Sequence, residues 1–216
     1  PSDDSIVLTA NAMNRSHMNC RGALLSSGRV LIVGSWYDTG NATFGEVYDP
    51  DADSFSPTGA MAVPRSYPIV LPMSSGGAVV AGGWHPYGAL PVEAVEQYSP
   101  GSGLFTKIQD ALFAGETGWL LASDLPRDIA TQRMSDGRYV LTARHRDTGE
   151  TVLALFNPST ATFSKLALIP ALLERASDVF MPIVDAMTNS AYVILASRQA
   201  GAASSQAWPM VIDLAT

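Results

Sequence analysis

Residues 22–48 read GALLSSGRVLIVGSW (22–36), YDTGNAT (37–43) and FGEVY (44–48), with Asp49-Pro50 closing the stretch. Ser27-Gly28 is a turn signal. Val30 to Val33 is a short run rich in β-branched residues that stops at Gly34. Glu46-Val47-Tyr48 is a second strand ended by Asp49-Pro50, and Phe55 falls in a third. Short strands punctuated by Gly and Pro predict an antiparallel meander. A single sheet of this kind cannot bury both faces, so further copies are expected.

A second copy follows as VLPMSSGGAVVAGGW (70–84) and VEQYSP (95–100). Ser27-Gly28 aligns with Ser75-Gly76, Gly34 with Gly82, Trp36 with Trp84, Tyr48 with Tyr98 and Phe55 with Phe105. A third, more divergent copy turns at Ser135-Asp136-Gly137-Arg138, runs through Tyr139–Ala143 and Leu155–Pro158, and places Phe163 at the Phe55 position. It follows an insertion, AGETGWLLASDLP (114–126). A fourth has strands over Asp178–Val184, Tyr192–Ala196 and Pro209–Leu214. The repeats fall at about 15–61, 62–113, 114–168 and 169–216. The N-terminal segment aligns with the link between copies one and two (Met13 with Met61, Arg15 with Arg65). A strand at 4–13 is therefore expected to complete the last sheet and close a ring. Closure leaves only short, protected edges.

The chain has 216 residues, 47% of them hydrophobic. That suits one all-β domain over residues 1–216. The net charge of −7 and the absence of a basic stripe argue against nucleic acid as a partner. No apolar run approaches the ~20 residues of a membrane span. Cys20 is the only cysteine, which excludes an intrachain disulfide. The chain opens at Pro1 without a Met, as after a removed leader or in a cut piece. An extracellular or periplasmic setting is the expectation.

The repeat of about 50 residues, with its Gly-stopped strand, Glu-x-Tyr-Asp-Pro and following aromatic, resembles the kelch motif of β-propellers. The resemblance implies a propeller in which each repeat is one blade of four antiparallel strands. The four copies then form a closed four-bladed ring in a monomer, half of an eight-bladed ring in a homodimer, or a piece of a longer propeller, and the closed ring is the expectation. It also implies that one face collects the loops after each second strand and the links between blades. Those loops begin at Trp36-Tyr37, Trp84-His85, His145-Arg146 and Arg198-Gln199. The links carry Arg15, Arg65, Arg127 and Arg175.

Trp rings stack on apolar faces and Arg forks hold carboxylates or phosphates, so this face reads as a binding surface. The expectation is a non-catalytic recognition propeller for a glycan or an acidic partner segment, needing no cofactor. The alternative is an enzyme acting on a sugar or other small polar molecule in the central opening, with His145, Arg127 and Arg175 orienting substrate and one of the nearby carboxylates Glu116, Asp124, Asp128 and Glu174 as acid or base.

Structural roles compete with these. In kelch-like blades the repeated Arg pairs with the Glu of the third strand. That places Arg15 with Glu46 and Arg65 with Glu96 as scaffold, while Ala154 and Met210 stand at the corresponding positions of copies three and four. Trp36 and Trp84 have packing between blades as their competing role. His17, His85 and His145 lack a metal-ligand spacing. Kelch-like oxidases hold copper with His and Tyr beside a Tyr–Cys crosslink, and nothing in the spacing of Cys20 and the histidines copies that site. The insertion 114–126, with Trp119, is either a longer surface loop or a wall over the opening.

Overall fold

The computed structural model describes residues 8–36, 42–86, 90–121, 131–168, 180–185, 190–197 and 206–213. It is all-β and built from successive antiparallel sheets. The first holds β1 (Arg21–Leu24), β2 (Val30–Val33), β3 (Phe44–Asp49) and β4 (Ser54–Ala60) in chain order. The second repeats this with β5 (Ile69–Pro72), β6 (Ala78–Ala81), β7 (Val95–Ser99) and β8 (Leu104–Gln109). The third runs β10 (Gln132–Arg133), β11 (Tyr139–His145), β12 (Thr151–Asn157) and β13 (Thr162–Leu168), and β9 (Trp119–Leu120) pairs with the far end of β11. The fourth has β14 (Phe180–Asp185), β15 (Ser190–Ser197) and β16 (Gln206–Asp213).

The hairpin turns need a left-handed residue, and glycine supplies it: φ is 82° at Gly28, 94° at Gly76 and 90° at Gly137. Gly34 and Gly82 answer a different demand. A Cβ on Gly34 would lie 2.9 Å from Pro68 Cδ, and one on Gly82 would lie 2.9 Å from the Leu121 carbonyl oxygen. The chain leading into each next sheet crosses directly over these positions. The glycines that stop the second strands therefore let one sheet dock on the next.

One aromatic pair recurs in register. Tyr48 faces Phe55, Tyr98 faces Phe105 and Phe156 faces Phe163 across neighbouring strands. Their ring centroids are 4.8, 5.1 and 4.9 Å apart. Each such pair contributes about 0.5–1.5 kcal/mol beyond the area it buries. The main core lies between the second and third sheets, around Leu71, Val79, Leu121, Leu141 and Phe156. A smaller cluster of Leu31, Val33, Met61 and Val80 joins the first sheet to the second.

The links between sheets are tied down by a buried carboxylate. Glu96, fully buried, accepts from the Ala62 and Val63 amides (2.6 and 3.3 Å) and from Arg65 Nη2 (2.9 Å). Arg65 Nη1 also donates to the Gly82 carbonyl at 3.0 Å. Glu46 accepts likewise from the Asn14 and Arg15 amides (2.9 and 2.8 Å), but here the side-chain partner is His17 Nε2 at 3.1 Å. Arg15 instead lays its guanidinium over the Phe44 ring, 4.2 Å from the centroid. The expected alignment of Arg15 with Arg65 is thus corrected by two residues. In the third sheet Ala154 stands where the carboxylate would be, fully buried among Leu141, Val152 and Leu121.

The ring expected from the kelch resemblance does not form, and the propeller reading is corrected. The sheets follow one another as an open, curled half-barrel. β1 packs on β5, β4 lies beside β8, and β14 lies beside β10 and β11, while no such packing joins the fourth sheet to the first among the described strands. The described part of the N-terminal segment contacts the first sheet. The Ala10 amide donates to Asp53 Oδ2 at 2.6 Å, the Asn11 side chain donates to the Asp53 carbonyl, and Asn14 Nδ2 donates to Glu46. They parallel the contacts that β4 and the link after it make with the second sheet, where the Gly59 amide donates to the Gly103 carbonyl and the Ala62 amide to Glu96. Asp4, Ser5 and Ile6 lie outside the described residues. No described helix is long and apolar enough to cross a membrane.

Candidate functional site

The richest cluster of polar and aromatic side chains gathers where β9 meets β11, built partly from the insertion. Trp119 is only 4% exposed and pairs across the strands with His145, whose ring meets it edge-on with centroids 5.1 Å apart. Phe113 meets the other side of the indole at 5.5 Å. Trp119 Nε1 donates to Glu116 Oε2 at 3.1 Å, and Lys165 Nζ, from β13, donates to the same oxygen. Lys165 Nζ also stands over the Trp119 ring, 4.1 Å from its centroid, and over Phe113 at 5.4 Å.

The His145 ring is fixed by its own loop. Nδ1 accepts from the Asp147 and Thr148 amides at 3.3 and 3.2 Å. In the neutral ring the proton therefore sits on Nε2. Gly118 makes room for that nitrogen: its φ is +85°, and a Cβ there would lie 2.8 Å from His145 Nε2. Glu93, from the second sheet's β6–β7 connection, clamps the edge. Its Oε2 accepts from the Gly118 amide at 2.7 Å, and its Oε1 meets Arg146 Nη1 at 3.1 Å.

The hydrogen bond from Lys165 lowers the Glu116 carboxyl. Desolvation opposes this; the Lys165 charge, the Trp119 hydrogen bond and the nearby His145 add to the lowering. Glu116 is half-exposed and thus ionised at neutral pH. The site presents an anionic acceptor, an ammonium and an imidazole N–H around one aromatic floor.

Of the residues expected to form the Arg/Trp face, the structure places several apart or in other work. Trp36 meets Tyr67 edge-on at 6.2 Å, beside Arg21 over the same Tyr67 ring. Trp84 bridges to Ser66 and Pro91, and its Nε1 is buried without a partner. The His85 amide donates to the Leu90 carbonyl. Tyr37, Arg127, Arg175 and Arg198 lie outside the described residues. His145 and Arg146 do reach the cluster. Sequence reading passed over Glu93, Phe113 and Lys165 as site residues. The signal available for Lys165 was scarcity, since it and Lys107 are the chain's only lysines.

No family model matches the chain, and no curated protein matches it. Among solved structures it is similar to a fungal alcohol oxidase described as showing catalytic diversity within the AA5 family, in complex with copper. The identity is 14% and the TM-score 0.55; the likeness covers 90% of this chain and 42% of the oxidase. The chain thus spans less than half the length of that enzyme, and the likeness is one of fold.

The expectation of a non-catalytic recognition face is corrected here. The oxidase of similar fold is an enzyme. The described arginines expected on that face are also committed: Arg65 is buried on Glu96, Arg15 lies on Phe44 and Arg146 is paired with Glu93. Among the described residues no three His, Cys, Asp or Glu side chains come together to hold a metal ion, and His17 is taken up by Glu46. Those side chains do not fit a copper centre.

Proposed function

We propose that the chain acts as an enzyme on a small polar molecule bearing a hydroxyl group, at the Trp119–His145 cluster. The observation that carries this reading is the juxtaposition of an ionised Glu116 and a donor on His145 Nε2 around Trp119. The fold likeness to an alcohol-oxidising enzyme supports an enzymatic reading over a binding one.

In this reading the substrate's apolar side rests on Phe113 and the Trp119 edge. For a hydroxy acid, Glu116 takes the hydroxyl proton as that oxygen adds to the substrate's own carboxyl carbon, while His145 Nε2–H and the Lys165 ammonium hold the carboxyl oxygens as they gain negative charge. The displaced hydroxyl leaves as water with the proton that Glu116 returns, closing a lactone. Lys165 keeps Glu116 ionised between turnovers. Glu93 and Gly118 keep the His145 loop in place.

Proton NMR of the protein incubated with a panel of primary alcohols, polyols and hydroxy acids tests the proposal. Conversion of at least one class is expected, lost in both Glu116→Gln and His145→Gln. Conversion that survives both substitutions would place the chemistry elsewhere, and no conversion across the panel would count against an enzyme.

A further inference from the structure

A cavity of about 480 Å³ opens at the other end of β11 from the Trp119 cluster. It lies among the hairpin ends of three sheets: Leu24 and Ser26 at the first, Pro72 and Ser74 at the second, Arg133 and Tyr139 at the third. Its size falls within the ~300–1,000 Å³ of small-molecule sites. We propose that it binds a small monocarboxylate with an apolar body.

The charge pattern carries the inference. Arg133 is exposed, is the only charged side chain lining the cavity, and has no acidic partner among the described residues. The nearest acid in sequence, Asp136, is already held by Arg138, whose Nε and Nη2 both lie 2.7 Å from Asp136 Oδ2. An unneutralised arginine in a chain of net charge −7 is a ready partner for an anion. Its planar fork matches a carboxylate in two parallel hydrogen bonds.

The walls supply the other half of the recognition. Leu24 is 64% exposed at the rim, with Pro72, Met73 and the half-buried Tyr139 lining the cavity beside it. Ser74 is held in place by Ser159, their hydroxyl oxygens 3.2 Å apart. One cation suits one negative charge. A phosphate would call for a second cation or a nest of backbone amides, and no further charged side chain among the described residues lines the cavity. With no acid lining it among the described residues, an amine lacks a counterion.

Isothermal titration with hexanoate, hexanol, hexylamine and acetate at one ionic strength tests this. Hexanoate is expected to bind near the millimolar range, with hexanol and acetate each about tenfold weaker, because each keeps half of the recognition. Hexylamine is expected not to bind. Arg133→Gln should erase the preference for hexanoate over hexanol, and Leu24→Ser should weaken hexanoate. Both side chains are exposed, so neither change should move Tm. Failure of hexanoate to bind, equal binding of hexanoate and hexanol, or unchanged affinity in Arg133→Gln would overturn the proposal. The inference does not rest on the enzymatic reading, and Arg133→Gln is expected to leave turnover at Trp119 unchanged.

Discussion

His17 stands to Glu46 as Arg65 stands to Glu96. Each reaches the carbonyl of a glycine 17 residues on, Gly34 or Gly82, and each reaches the third-strand carboxylate from the same link. His17 Nδ1 lies 3.1 Å from the Gly34 oxygen and Nε2 lies 3.1 Å from Glu46 Oε1. Both ring nitrogens thus face an oxygen, as the two terminal nitrogens of Arg65 do.

Glu46 makes the first sheet sensitive to acid. Burial pushes its carboxyl up, but hydrogen bonds from the Asn14 amide and side chain, the Arg15 amide and His17 outweigh burial and hold it below the usual carboxylate range. A depressed carboxyl contributes stability that is fully present above its unfolded value and lost as pH falls through its folded value. Wild type should therefore lose stability on acidification below about pH 4.5, and Glu46→Gln should flatten that limb. Urea titrations between neutral pH and pH 3 measure it, and parallel curves for the two proteins would contradict the assignment.

Arg65→Met breaks a fully buried ion pair. It leaves Glu96 holding only the Ala62 and Val63 amides. The expected cost is about 3–5 kcal/mol, because a buried charge loses its counterion. Arg65 Nε, buried without a partner, offsets only a little of this. Chemical denaturation gives the value. A loss below about 1 kcal/mol would mean that water reaches Glu96 when Arg65 is gone.

Gly118→Ala is expected to disturb the candidate site more than the fold. The new Cβ meets His145 Nε2 at 2.8 Å in a left-handed backbone, so the ring must swing off Trp119. Turnover should fall about tenfold or more, with a stability loss of about 1–2 kcal/mol. Unchanged turnover would remove His145 from the reaction.

Lys165→Met separates function from stability at the Glu116 pair. Both side chains are partly exposed, so the stability change should be small. Lys165 is the largest influence lowering the Glu116 carboxyl. The acid limb of the rate profile in wild type should lie below the ordinary glutamate value of about 4.3, and should move to higher pH in the variant. A limb that stays in place would mean that Glu116 is not the base.

Local features were legible in the sequence where they repeat. The Tyr48–Phe55 and Tyr98–Phe105 pairs, the Gly28 and Gly76 turns and the strand-ending glycines all followed from spacing. So did the strands of the fourth sheet, because alternation and turn residues act over a few positions. The His17–Glu46 contact was missed because Arg15 was matched to Arg65 by residue type, although Met13 and Met61 carried the true spacing. Closure into a ring depends on how each sheet is angled on the next, and spacing within one repeat does not report that angle. The Glu116–Lys165 and Glu93–Arg146 contacts join segments far apart in the chain, across an insertion with no counterpart in the other repeats. No periodicity reports such meetings.

Glu116, beside Trp119 and His145, is the proposed reacting group. The most direct test is kcat/KM for the best-converted small alcohol or hydroxy acid, in wild type and in Glu116→Gln, with Tm measured on the same samples. The account predicts a fall of about a hundredfold or more with Tm nearly unchanged, since an exposed carboxylate contributes little to stability. A full rate in Glu116→Gln, or a loss of rate matched by loss of the folded state, would contradict it.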